Sequence, residues 1–180
     1  IYSDEHKVEF SLESPHGDQG FPGNATIRVS YALEPGGVLS ITYDAVCDRD
    51  TVFNLTNHSY FNLNGHDSGT VMGHWARINA EYYTPVNASL IPSGEPAPVA
   101  GTPFDFRVDK MLGTDINADN EQIGFGGGYD HNFVIGDSPC ETAEKTIKEA
   151  AVLYSDDSGI CMTVMTDMPD MQVYTANGLK

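Results

Sequence analysis

Positive charge is scarce in this chain. Nine Lys and Arg stand against 26 Asp and Glu over 180 residues, a formal net charge of −17. With no basic cluster to offset it, that charge repels nucleic acid and anionic membrane surfaces, so neither is expected as a partner. A neutral small molecule is indifferent to it, and the acidity bears on solubility alone. Cysteine is scarce too: Cys47, Cys140 and Cys161 are odd in number, widely spaced and without a C-x-x-C pair. That pattern disfavours a disulfide framework or a zinc knuckle, and buried free thiols are expected. No apolar run approaches the roughly 18 residues of a membrane-spanning helix, and Ile1-Tyr2-Ser3-Asp4-Glu5 lacks the pattern of a signal peptide. The cytoplasm is the compartment expected. Repeats and low-complexity tracts are also missing, so residues 1–180 are expected to form a single domain.

Helical periodicity is nearly absent, and period-two alternation recurs in its place. Ile27, Val29, Tyr31 and Leu33 share one face of an extended run, with Thr26, Arg28 and Ser30 on the other. Pro35-Gly36-Gly37 breaks that run, and Leu39, Ile41, Tyr43, Ala45 and Cys47 begin another, which predicts an antiparallel hairpin. Asp156-Asp157-Ser158-Gly159 separates two further alternating runs and predicts a second hairpin. Between them a strand is expected around Trp75 to Ala80. A connection rich in proline follows from Pro85 to Pro103, which should lie over the surface or along a sheet edge because proline cannot donate to a central ladder. The single helix expected is brief, around Val108 to Leu112. Eighteen glycines, ten prolines and turns at short intervals favour an all-β sandwich over a parallel α/β fold.

The decamer Asn54-Leu55-Thr56-Asn57-His58-Ser59-Tyr60-Phe61-Asn62-Leu63 carries the most chemical information. An imidazole exchanges a proton near physiological pH. Asn57, Asn62 and Asn64 can donate and accept hydrogen bonds as sugar hydroxyls demand, and Tyr60 and Phe61 offer flat apolar faces for a pyranose ring. On composition alone a histidine in such a strand-like run is at least as compatible with packing as with catalysis.

The decamer closely resembles a signature of the aldose 1-epimerase family, the galactose mutarotases. Leu90-Ile91-Pro92-Ser93-Gly94-Glu95 with Gly101-Thr102-Pro103-Phe104-Asp105-Phe106-Arg107 is similar to the family's proline-rich connection. Gly128-Tyr129-Asp130-His131-Asn132-Phe133 is similar to its second polar segment, and Met171-Gln172-Val173-Tyr174-Thr175-Ala176-Asn177 is a weaker match. The resemblance implies a large antiparallel β-sandwich, the galactose mutarotase-like supersandwich, here incomplete at both ends, with residues 1–180 its middle part.

It also implies a reaction, the interconversion of the α and β anomers of a free hexose such as galactose or glucose. Opening the hemiacetal takes a proton from the C1 hydroxyl and gives one to the ring oxygen, which one acid and one base accomplish without a metal or redox cofactor. By resemblance His58 is the acid, for which it must carry its proton near neutrality, and that calls for a carboxylate close by. The base is expected to be a glutamate beyond Lys180, so residues 1–180 alone are expected to be inactive. Asp130 would accept hydrogen bonds from sugar hydroxyls and orient the ring, where composition alone suggests a solvated turn after Gly126-Gly127-Gly128. Gln172 matches a polar residue lining the family cleft, although an exposed strand glutamine is an equal reading. Tyr129 stands where the family pattern has phenylalanine, a departure that concerns local packing.

His131 follows Asp130 directly and should point to the opposite face of an extended strand. His66 and His74 are expected to be solvated, and spacings of eight among His58, His66 and His74 fit no common zinc pattern. Two alternatives stay open: a carbohydrate-binding or regulatory homologue without catalysis, and an epimerase of a phosphorylated hexose. The second needs clustered arginines, whereas Arg28, Arg49, Arg77 and Arg107 are scattered.

Overall fold

The computed structural model describes residues 1–136 and 146–179. The described chain is almost wholly β and divides into two compact units, Ile1–Ser59 and Tyr60–Lys180.

The first unit is an antiparallel meander of four strands: β1 (Tyr2–Ser3), β2 (Lys7–Ser14), β3 (Ala25–Glu34) and β4 (Val38–Cys47), in that spatial order. The β3–β4 hairpin turns at Pro35-Gly36-Gly37 as expected, and its ten-pair register runs without a slip from Glu34↔Val38 to Ala25↔Cys47. Along β4 the side chains of Ile41, Tyr43, Ala45 and Cys47 are half-buried while Thr42, Asp44 and Val46 are exposed. The alternation read in the sequence is therefore real, although Leu33 and Leu39 at the turn end remain exposed.

Among the described residues, the second unit has two four-stranded sheets. One has the order β11 (Cys161–Thr166), β10 (Lys148–Tyr154), β5 (Trp75–Ile78), β8 (Lys110–Met111). The other has the order β12 (Asp170–Tyr174), β9 (Asp130–Val134), β6 (Tyr82–Thr84), β7 (Ala97–Pro98). All the pairings are antiparallel. Ala76, Ile78 and Ala151 from the first sheet and Tyr83 and Phe133 from the second join one buried cluster. Val99, Phe104, Phe106, Leu112, Ile123 and Tyr129 complete its filling. A sandwich closed over aromatic side chains results, each fully buried phenylalanine contributing about 1.5–3 kcal/mol by its removal from water. Tyr83 stacks on Phe104 at 4.3 Å, and Phe106 meets Tyr129 edge-on at 5.1 Å.

Two local expectations are corrected and a third is refined. The segment Val108–Leu112 is not helical; its Lys110–Met111 forms β8 against β5. The helix is instead α1 (Glu121–Gly126), which begins where the Asn120 side chain accepts the amides of Gln122 and Ile123 and ends at the left-handed Gly127, the two local signals that start and stop a helix. The proline-rich connection does place Pro98 on an edge strand, but it also sends Val86 and Val99 into the core. Finally, the thiols are not buried: Cys47 is half-buried and Cys161 exposed, both free, and Cys161 opens β11 on the face opposite the half-buried Met162 and Val164. Cys140 lies outside the described residues.

Candidate active site

His58 lies in residues 50–62, which carry no regular secondary structure rather than the strand the run suggested, and it is exposed. Its backbone is nonetheless held on both sides. The Asn57 amide donates to the Tyr31 hydroxyl on β3 at 3.2 Å, and its carbonyl oxygen accepts the Ser59 amide at 3.0 Å. This side-chain-to-backbone turn straddles His58 and anchors it to the long meander.

Asp130 opens β9, one residue after the buried Tyr129. Its outward direction follows from the strand pleat. His131 and Phe133 are 0% and 1% exposed and point into the core, so Asp130 and Asn132 face the other way. β12 pairs with β9 so that Gln172 stands opposite Asn132 and Tyr174 opposite Asp130. From there the Gln172 amide reaches diagonally to donate to Asp130 Oδ1 at 2.8 Å, as cross-strand neighbours two residues apart can. Asn132 donates to Thr84 Oγ1 on β6 at 2.9 Å, and the exposed Tyr60 ring meets Tyr174 edge-on at 6.0 Å. A carboxylate, two amides, a hydroxyl and two aromatic rings thus share one solvent-facing side of this sheet. Farther along it, Thr84, Asn132, Val134 and Asp170 line a shallow groove of about 230 Å³.

The loop before Asp130 is built for that position. Gly128 has φ +136°, and a Cβ there would lie 2.5 Å from Asn177 Oδ1, so a glycine is required. The room it leaves lets the Asn177 amide donate to the carbonyls of Gly126 and Tyr129, both at 3.0 Å. The Tyr129 hydroxyl donates to the Pro103 carbonyl at 3.0 Å, and burial pushes its pKa well up.

The family model described as aldose 1-epimerase matches residues 1–180. This chain belongs to the aldose 1-epimerase family. It is 39% identical over 177 residues to an aldose 1-epimerase of Haemophilus influenzae, covering 97% of this chain and 49% of that protein. It is 41% identical over 172 residues to the galactose mutarotase of Homo sapiens, covering 96% and 47%. Among solved structures, an aldose epimerase homologue from C. elegans superposes with a TM-score of 0.80 at 30% identity, over 97% of this chain and 50% of that one. The chain spans about half the length of the curated relatives it matches.

Of the site residues that the aldose 1-epimerase resemblance implies, Asp130 and Gln172 are in direct hydrogen-bond contact within Tyr60–Lys180, and His58 belongs to Ile1–Ser59. Asn132, Thr84 and Tyr174 share the Asp130 face but were not singled out in the sequence. The signal for two of them was present, since Asn132 is two residues beyond Asp130 and Tyr174 two beyond Gln172 in extended runs.

The asparagines of the decamer have another use. Asn62 donates to the Gly69 carbonyl and accepts the Asn64 amide, both at 3.0 Å. Asn64 donates to Asp157 and accepts from the Ser155 hydroxyl. With Asn57 they shape the loop, and Tyr60 and Phe61 are left exposed at 53% and 50%. His66 is solvated, beside Asp67 at 3.0 Å. His74 is not: it is 1% exposed, and its Nε2 accepts the Leu63 amide at 3.0 Å. That bond, eleven residues distant, satisfies a buried backbone donor at the end of the decamer. Arg77 faces Asp109 and Glu149, and Arg107 grips Asp105 and Glu81, each at 2.8 Å. Both guanidinium groups are thus already matched to carboxylates, and neither adds to a phosphate site. Among the described residues no group of three or more His, Cys, Asp or Glu could hold a metal ion, and no helix is long and apolar enough to cross a membrane.

Proposed function

We propose that the protein is an aldose 1-epimerase that interconverts the anomers of a free hexose such as galactose or glucose. The observation that carries this reading is the Asp130 carboxylate, held by Gln172 on a polar, aromatic-flanked sheet face, in a chain that matches the family from first residue to last. Asp130 accepts hydrogen bonds from sugar hydroxyls, and Gln172 both orients that carboxylate and offers its own amide oxygen to the ring substituents. Tyr60 and Tyr174 supply apolar faces for the C–H side of the pyranose.

His58 gives its proton to the ring oxygen as the C1–O5 bond breaks, and a base takes the C1 hydroxyl proton. After rotation about C1–C2 the two carriers exchange roles and the ring recloses on the other face. The proposed base is a glutamate outside residues 1–180, without which these residues should not epimerise by themselves. No cofactor takes part in these proton transfers. A monosaccharide is the proposed partner and the cytoplasm the proposed compartment, where a reducing environment suits the free thiols of Cys47 and Cys161. We also propose that residues 1–180 are the middle part of a single domain, a reading supported by the end-to-end family match.

Polarimetry on freshly dissolved α-D-galactose tests the assignment. In the intact protein, His58→Ala should lower kcat by about 10²–10⁴. An unaffected rate would remove His58 from the mechanism.

A further inference from the structure

His131 is 0% exposed and takes no part in the proton transfers above, yet both its ring nitrogens are engaged. Nδ1 accepts the backbone amide of Asp130 at 3.2 Å, and Nε2 lies 3.3 Å from Gln122 Oε1. The Gln122 amide cannot be turned round. Its Oε1 accepts the Val86 amide at 2.8 Å while its Nε2 donates to the Val86 carbonyl at 3.0 Å, so an oxygen must face the imidazole. His131 Nε2 must then carry the ring proton, and Nδ1 is left as an acceptor for Asp130. Two independent backbone groups, at Val86 and at Asp130, thereby require the same tautomer. Tyr83 and Phe104 close around the ring at 5.9 and 4.6 Å, and burial lowers its pKa against the opposing pull of the Asp130 carboxylate.

The pairing of β9 with β6 explains why such a lock is needed. β6 ends at Thr84 opposite Asn132, so that ladder stops two residues short of Asp130. The His131 ring takes up the Asp130 amide instead. Asp130 is consequently fixed twice, at its backbone through His131 and at its carboxylate through Gln172.

We propose that His131, as the neutral Nε2–H tautomer relayed through Gln122 to Val86, is a positioning residue that sets the backbone of Asp130 and so the direction of its carboxylate. The consequence for sugar binding rests on the role proposed for Asp130 above; the tautomer lock does not.

Imidazole nitrogen NMR on the intact protein at pH 7 tests the lock without any activity. His131 is expected to show a protonated Nε2 and an unprotonated Nδ1, and the opposite tautomer would overturn the proposal. Kinetics then separate positioning from packing. His131→Asn keeps an oxygen where Nδ1 stands, whereas His131→Gln keeps only the reach to Gln122. The Gln variant should raise KM for galactose about tenfold, the scale of one lost positioning hydrogen bond, with a smaller change in kcat, and the Asn variant should restore KM towards the unsubstituted value. If both variants lose thermal stability but share an unchanged KM, His131 is merely structural and the proposal fails. Asp130→Ala serves as the control. If it leaves mutarotation unchanged, the sugar-orienting role of Asp130 is what fails, and the NMR spectrum still decides the lock.

Discussion

The two units of this chain invert the usual association between regular strands and a buried core. Ile1–Ser59 has the longest strands and the longest unbroken register, yet Ala25 is its one buried apolar residue; Leu12, Leu33 and Val46 are each at least 60% exposed. Tyr60–Lys180 has strands of two to seven residues broken by long connections, and it holds the whole aromatic core. Backbone pairing and side-chain burial are separate sources of order. A meander satisfies its own hydrogen bonds whether or not a layer covers it, whereas short irregular strands persist only because their inward side chains are packed. The candidate site residues divide in the same way: His58 is placed by an asparagine turn tied to a long strand, and Asp130 by a core directly behind it.

The contrast can be broken most forcefully at Phe104. Phe104→Ala should cost about 3–5 kcal/mol in denaturant unfolding, and Leu12→Ala only within about 0.5 kcal/mol. Equal costs would show that the exposed face of the meander is in fact covered in the intact protein. Gly128→Ala comes next, with a loss of about 1–3 kcal/mol from the forced positive φ and the collision with Asn177. A crystal structure of that variant with the Tyr129–Asp130 backbone unmoved would refute the requirement for glycine.

His131 supplies a pH-dependent test of the core behind the site. Burial depresses its pKa in the folded state, so the unfolded chain binds more protons as the pH falls below the ordinary histidine value near 6.5. Its contribution is therefore fully present above that value and lost as the pH falls through the depressed folded pKa. Urea midpoints measured between pH 7.5 and 5 should decline, and less steeply in His131→Gln; parallel curves would contradict the burial argument. A small effect is also expected at Arg107. Its hydrogen bonds hold Asp105 at about 2, but the pair is solvent-screened, so Arg107→Ala should barely move the thermal midpoint. A thermal shift scan in low and high salt would expose a larger, buried contribution.

Much of the fold was legible because alternation is a local signal. The turns at Pro35-Gly36-Gly37 and Asp156 to Gly159, and the opposite faces of Asp130 and His131, follow from period two alone. The helix was misplaced for an identifiable reason. Asn120 and Gly127 are better boundary signals than any near Val108, but six residues are too few to show helical periodicity. His74 was misread as solvated because a glycine- and serine-rich neighbourhood says nothing about a Leu63 amide that folds back onto it.

By itself the sequence determined the strand pattern, the hairpin turns and the family. Only the tertiary structure decided that Asn62 and Asn64 serve the loop, that His74 is buried, and that the tautomer of His131 is dictated by Val86 and Asp130. The reason is physical. Alternation and turn chemistry act over a few residues, whereas a polar group is assigned its partner by whatever the fold brings within hydrogen-bond reach, and for Asn64 one such partner is Asp157, 93 positions along the chain.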